Sequence, residues 1–543
     1  MLEAGEDLMD RSSPQGWRPM LCALVAAVLA AAVLVQLPTV TAGAATTPTV
    51  VTLTFDDGDA DQLAAQRTMR AAGLAGTFYV VSGWVGAPGY LSRADLTAMA
   101  ADGNEIGGHT VTHPDLVQIP AQEVRRQICN DRATLDEWGF RPVSFAYPFS
   151  DANPAVEQAA KDCGYTTARG LGDVRSPFGC SGCVRAETSP PPDPYYLRAP
   201  DQVDARWTLA ALKSQVTAAG TRSGGWVILT FHRVCAPLGT ADCPADRSVT
   251  PQVFGQFTTW LAAYARTASN NTTVRTVDQQ VRAYLGAAYP AYSVPVPVPG
   301  TPPTQPGVNA LTNPSLEAVD GFTGFPSCFQ PGGWGTNTPS WARSTASRTG
   351  AAAEQLTMTG YQDGDAKLLP TLDLGTCSPS VVPGRTYEVS TWFTSTAVSQ
   401  IALYYRDGSG AWRYWTSSPW IAAAPTWQRA AFTTPPAPAG ATGLSFGLAL
   451  IANGVLTTDD YALTEVPATS PTATPSARRL VVNAPSLGAT PGRRPTRARP
   501  AQATPQGATT LRRQDAAAST YVPGPGEVPE GTRIAPATPL ARR

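Results

Sequence analysis

The stretch "VTLTFDDGDA", Val51 to Ala60, ends an apolar, β-branched run with two adjacent carboxylates and a glycine. The run beginning at Val50 has the make-up of a buried strand, and Asp56 and Asp57 stand where it stops. Like charges this close repel, so a partner must hold one ionised or neutralise it. Working outward, similar runs recur at Gly76 to Val81, Glu105 to Gly108, Val143 to Tyr147, Tyr165 to Ala168, Val227 to Phe231 and Thr273 to Val277. Helical patterns lie between them. Ala121 to Trp138 keeps Val124, Ile128, Leu135 and Trp138 on one face, and Ser92 with Asp95 forms a capping-box signature. This alternation predicts an α/β barrel or a doubly wound sheet.

The chain has 543 residues, room for two or three domains, and a formal net charge of -1 that argues for neither nucleic acid nor an anionic surface as partner. Arg11 and Arg18 precede an apolar run from Met20 to Leu37, and Ala42-Gly43-Ala44 offers a cleavage site before Ala45. The run is near the roughly 18-residue minimum for a span, so a retained anchor is the alternative. Pro38 and the small residues that follow favour cleavage. A signal peptide over 1–44 is therefore expected, with export and no stable membrane insertion afterwards. Eight cysteines remain once Cys22 is removed with it, an even number suited to disulfides. The spacing suggests Cys129–Cys163, Cys180–Cys183, Cys235–Cys243 and Cys328–Cys377. A zinc knuckle at Cys180 and Cys183 would need a second such pair, which the chain lacks.

Composition divides the rest. Residues 45–288 form the α/β region and 289–308 a proline-rich, extended linker. Residues 309–466 hold short alternating runs such as "YEVSTWF", "IALYYR" and "LSFGLAL", read as an all-β sandwich. The tail over 467–543, rich in Pro, Ala, Thr and Arg, cannot bury a core and is expected to be disordered.

Three histidines occur in the whole chain, His109, His113 and His232. His109 and His113 have the spacing that brings two imidazoles to one metal. Asp57 can complete a two-histidine, one-carboxylate set for a divalent ion. The ion would neutralise Asp57 and leave Asp56 ionised beside it as a base. Helix capping by an aspartate is the plainer reading and explains one of the pair. His232 ends "WVILTFH" at another strand terminus, where a general acid competes with a buried structural histidine. Every one of these groups lies at the C-terminal end of an expected strand, the catalytic face of an α/β barrel.

"TFDDG" (Thr54 to Gly58), "HTVTHP" (His109 to Pro114), "FAYPF" (Phe145 to Phe149) and "LTFH" (Leu229 to His232) resemble, in order, the motifs of the polysaccharide deacetylases, the NodB-homology carbohydrate esterases. The resemblance implies a distorted (β/α) barrel and metal-dependent removal of acetyl groups from a glycan. By the same resemblance Asp57, His109 and His113 would bind the metal, usually zinc. Asp56 would be the base, His232 the acid and the Tyr147 backbone N–H an oxyanion donor. Thr110 would orient a ligand histidine. The sequence departs from the commonest pattern at Ala146, whose neighbourhood usually offers an arginine to hold the base, and in lacking a clear fourth motif. Arg169, in "TTARG", is a candidate substitute partner for Asp56.

The second region opens like a galactose-binding-like module. Trp412, Tyr414 and Trp415, beside Gly408 and Gly410, read as loop-borne rings that could stack on sugar. Together these features describe a secreted or wall-associated monomeric deacetylase acting on a polysaccharide, whether chitin-like, peptidoglycan or acetylated xylan. Its appended module would bind glycan independently of the chemistry. The alternative is a non-catalytic glycan-binding or adhesion protein on an inactive barrel.

Overall fold

A computed structural model describes residues 47–221 and 224–467. The apolar run from Met20, its cleavage site and the tail beyond residue 467 lie outside the described residues. Among those described, no helix is long and apolar enough to cross a membrane.

The first region is a curled sheet with every ladder parallel. Its strands are β1 (Thr49–Phe55), β2 (Thr77–Val80), β3 (Glu105–Gly108), β4 (Ser144–Ala146), β5 (Thr167–Arg169) and β6 (Gly225–Phe231). They lie in the order β5-β4-β3-β2-β1-β6. A small ribbon, β7 (Arg233–Val234) with β8 (Ser248–Val249), follows, and β9 (Thr272–Val274) pairs with the start of β1. All seven expected strands are present, with ends shifted by a few residues. β1 is buried on both faces, as a parallel central strand must be, which is why it reads as an unbroken apolar and β-branched run. Phe55 stacks on Phe78 at 4.6 Å and on Phe231 at 5.4 Å. Facing the interior, the Thr54 and Thr230 hydroxyls pair at 2.9 Å, and the Trp226 indole donates to Thr52 at 2.8 Å. These four side chains thus satisfy one another's buried polar atoms within the sheet.

An irregular segment bridges the two sheet edges. Glu187 exchanges backbone hydrogen bonds with Trp226 of β6 at 2.9 and 2.7 Å. Ten residues on, Leu197 donates to Ala168 of β5 at 2.8 Å and accepts from Gly170 at 3.1 Å. The result is a distorted (β/α) barrel, closed on one side by a strap in place of regular strands. Helices α1 (Gln62–Ala71), α2 (Arg93–Ala101) and α3 (Ala121–Glu137) follow the first strands. α2 carries the Ser92–Asp95 capping box in full.

Residues 329–465 form two five-stranded antiparallel sheets over one core. The first comprises β10 (Phe329–Trp334), β13 (Asp365–Pro370), β15 (Ser399–Arg406), β16 (Trp412–Ser417) and β18 (Gly443–Leu450). The second comprises β11 (Thr338–Ser344), β12 (Ala353–Thr359), β14 (Tyr387–Ser395), β17 (Ala424–Thr433) and β19 (Gly454–Glu465). The disulfides Cys129–Cys163, Cys180–Cys183, Cys235–Cys243 and Cys328–Cys377 are formed as the spacing suggests.

The proline-rich connection is extended, and it is also bound. Tyr292 donates to Asp136 at 2.6 Å, Arg132 to the Ser293 carbonyl at 2.8 Å and Arg126 to the Pro299 carbonyl at 2.9 Å. Asn130 pairs with both backbone groups of Val298. The segment therefore runs along α3 from its C-terminal to its N-terminal end.

Candidate active site

The sequence-expected residues converge at the C-terminal ends of the parallel strands. Asp56 and Asp57 follow β1, His109 follows β3, Tyr147 follows β4, Arg169 ends β5 and His232 follows β6. Asp57, His109 and His113 each bring one ligand atom within 4.8 Å of the others. The Nε2 atoms of His109 and His113 lie 3.5 and 3.4 Å from Asp57 Oδ1. That oxygen is buried with no hydrogen-bond partner among the described residues. On its far side His109 Nδ1 donates to the Ala146 carbonyl at 2.7 Å, which fixes the tautomer and turns the Nε2 lone pair inward.

The electrostatics follow from this crowding. Burial alone would raise the Asp57 carboxyl, but the surrounding histidines outweigh it and hold it well below the usual carboxylate range. Burial pushes the His113 imidazole down to about 4. Burial acts in the same sense on His109, where contact with Asp57 wins and the shift is upward. An orphaned carboxylate oxygen facing two imidazole nitrogens fits a divalent cation. The loops that carry these groups are strained, with positive φ at Asp57 (74°), Thr110 (72°), His113 (59°) and Phe149 (56°). Such backbone cost concentrates at functional sites.

Asp56 is nearly buried, and Arg169 Nη2 lies 2.6 Å from both of its oxygens. Arg169 is itself fully buried, with its guanidinium 5.3 Å from the Tyr79 ring. It occupies the role that the sequence near Ala146 leaves empty. His232 Nε2 lies 4.0 Å from Asp56 Oδ2.

Two expectations are corrected. The Tyr147 N–H donates to the Arg169 carbonyl at 3.1 Å, extending the β4–β5 ladder, and so is not free for an oxyanion. Trp412, Tyr414 and Trp415 are not loop-borne: they sit on β16, where alternation sends Trp415 toward the sandwich core. Trp412 and Tyr414 pack on the other face with Leu369, Ala402 and Tyr404, and the Trp412 indole donates to the Asp373 carbonyl at 3.1 Å. Thr110 acts one step removed from its expected role, its hydroxyl accepting from the His113 backbone N–H at 2.9 Å.

Three neighbours escaped the sequence reading. Gln62, the first residue of α1, donates to the carbonyls of Asp56 at 2.5 Å and His232 at 2.9 Å, tying the β1 and β6 ends together. Trp84 stacks against His113 with centroids 5.4 Å apart, and the exposed Phe149 meets the same ring edge-on at 4.8 Å. Phe149 belongs to the "FAYPF" motif and was open to notice. Gln62 and Trp84 carry no sequence signal of their own.

Residues 43–168 match the model of the polysaccharide deacetylase family. This chain carries a polysaccharide deacetylase domain. That domain is 29% identical over 112 residues to the peptidoglycan-N-acetylglucosamine deacetylase PgdA of Listeria monocytogenes, covering 20% of this chain and 23% of the relative. It is 28% identical over 120 residues to a peptidoglycan-N-acetylglucosamine deacetylase of Bacillus cereus, covering 22% of this chain and 54% of that one. The matched stretch thus spans about a quarter to a half of these curated relatives. Among solved structures, a family 4 carbohydrate esterase from Streptomyces lividans in complex with acetate matches 42% of this chain and 93% of its own. The identity is 18% and the TM-score 0.27. The barrel architecture of the deacetylase domain rests on its own strand order.

Proposed function

We propose that the protein is an exported, metal-dependent deacetylase that hydrolyses acetyl groups from a polysaccharide. The observation that carries this reading is the placement of Asp57, His109 and His113 around one point, beside an Arg169-held Asp56 and His232. The names of the curated relatives favour an N-acetylglucosamine polymer, with peptidoglycan ahead of chitin and acetylated xylan. Eight cysteines in four disulfides support an oxidising compartment, and hence export.

A divalent ion, zinc by its two imidazoles and one carboxylate, would be held by Asp57, His109 and His113. When bound it would polarise the acetyl carbonyl and lower the pKa of a neighbouring water. The remaining work belongs to the chain. Asp56, aimed by Arg169, accepts the proton of the water whose oxygen attacks the acetyl carbon. The Phe149 N–H, two residues on in the same loop, would take the place of Tyr147 as the donor for the oxyanion. His232 delivers a proton to the leaving amine or alcohol as the carbon–nitrogen or carbon–oxygen bond breaks. Acetate and the deacetylated sugar result.

A panel of acetylated glycans, assayed for released acetate, tests the proposal. Release from an N-acetylglucosamine polymer is expected. A folded, zinc-loaded protein that frees acetate from none of them would contradict it.

A further inference from the structure

The sandwich does not hang free of the barrel. Its loop around Leu374 to Thr376 docks on the N-terminal end of α3, against a carboxylate and a guanidinium that are 2% and 4% exposed, Glu123 and Arg126. Glu123 Oε1 accepts from the Leu374 backbone N–H at 2.8 Å, and Oε2 accepts from the Thr376 hydroxyl at 3.1 Å. Arg126 pairs with Glu123 at 3.3 Å and donates to Thr376 at 2.8 Å. Buried charges of this kind are tolerable only while every partner is in place.

One residue further along the chain of contacts lies the metal-ligand loop. The Gln127 side-chain amide donates to Glu123 at 3.1 Å and to the Thr112 hydroxyl at 2.8 Å. Its oxygen accepts from the Thr112 backbone N–H at 3.0 Å. Thr112 immediately precedes His113. A second contact arrives at Val111, which is fully buried: a Cβ on Gly410, in the β15–β16 turn, would stand 2.6 Å from Val111 Cγ1. Gly410 has φ +88°, so glycine serves both the turn and the close approach.

We infer that the β-sandwich is a positioning element of the metal site. Through Glu123 and Gln127, and through Gly410 on Val111, it holds the backbone between His109 and His113, and so sets the affinity of the site for its ion. The inference rests on Asp57, His109 and His113 being ligands. Thr112, Gln127 and Glu123 act through those ligands and are positioning residues, since none reaches the reacting atoms.

The test is Zn2+ affinity of the full chain, measured by competition with a chromophoric chelator, with thermal unfolding as a check on folding. Thr112→Val, which removes the hydroxyl that Gln127 grips, should weaken binding about tenfold, the lower end of what outer-shell partners contribute. Thr112→Ser should bind as the parent does. Thr376→Val, made in the sandwich, should also weaken binding. The double variant should be no weaker than the sum allows and measurably less than additive, because both changes interrupt one relay. A folded Thr112→Val or Thr376→Val that binds Zn2+ like the parent would overturn the inference, as would strictly additive losses. If instead the parent binds no Zn2+, or His113→Ala binds it unchanged, the ligand assignment itself has failed.

Discussion

Asp56 and Asp57, adjacent in sequence, are separated in role by what each one faces. Asp56 meets a buried guanidinium, and Asp57 meets two imidazoles. Asp56→Asn should therefore keep the metal and lower kcat by about a hundred- to ten-thousandfold, the usual weight of a general base. Metal analysis beside kcat checks it, and an empty site in that variant would make Asp56 a ligand. Arg169→Met should leave the Asp56 carboxylate buried without its partner, lowering stability by about 3–5 kcal/mol, as breaking one side of a buried ion pair does. Chemical denaturation measures that loss; an unchanged midpoint would mean that Arg169 does not sustain Asp56. The candidate ligand residues were legible because the chain has only three histidines and the structure brings all three to one face. Arg169 was legible as the replacement for an arginine missing elsewhere. The engagement of the Tyr147 N–H was not, because a backbone N–H leaves no trace in the sequence, and only its sheet bond to Arg169 reveals that it is taken.

At the scale of elements, α3 links the barrel, the connecting segment and the sandwich, and it carries a buried titratable group of its own. Burial raises the Asp131 carboxyl to about 7, only partly offset by hydrogen bonds from Ser82 and Tyr165 and by the nearby His109. The folded state then keeps a proton over the range where the unfolded chain, near its ordinary value of 3.8, has lost it. Stability from this group is present below about pH 4 and is lost as pH rises toward 7. Asp131→Asn should flatten that slope in melting temperature between pH 4 and 7, and an unaltered slope would assign it to another group. The helix itself was plain from its apolar face, and the barrel strands from their continuous apolar runs. The strap from Glu187 to Leu197 was hidden, since it closes the barrel through a few backbone bonds and no periodic pattern. The rings on β16 were misplaced as a loop because flanking glycines are a turn signal that stops one residue before the strand begins.

For the whole molecule, a proline-rich segment between regions of different composition reads as a spacer between independent modules. The bonds along α3 and the buried Glu123–Arg126 contact instead join barrel and sandwich directly. Thermal unfolding followed calorimetrically should give one transition for both, and two well-separated transitions would restore the independent-module reading. Composition could not reveal this, because the docking residues are ordinary polar side chains whose partners lie some 250 positions away. The account turns on the metal-dependent removal of acetyl groups at the Asp57–His109–His113 centre. The most direct measurement is acetate released from an acetylated N-acetylglucosamine oligomer by one preparation, first stripped with a chelator and then reloaded with Zn2+. Release should vanish on stripping and return on reloading in the parent, and should not return in His113→Ala. Release that survives complete removal of the metal, or that returns fully in His113→Ala, would contradict the account.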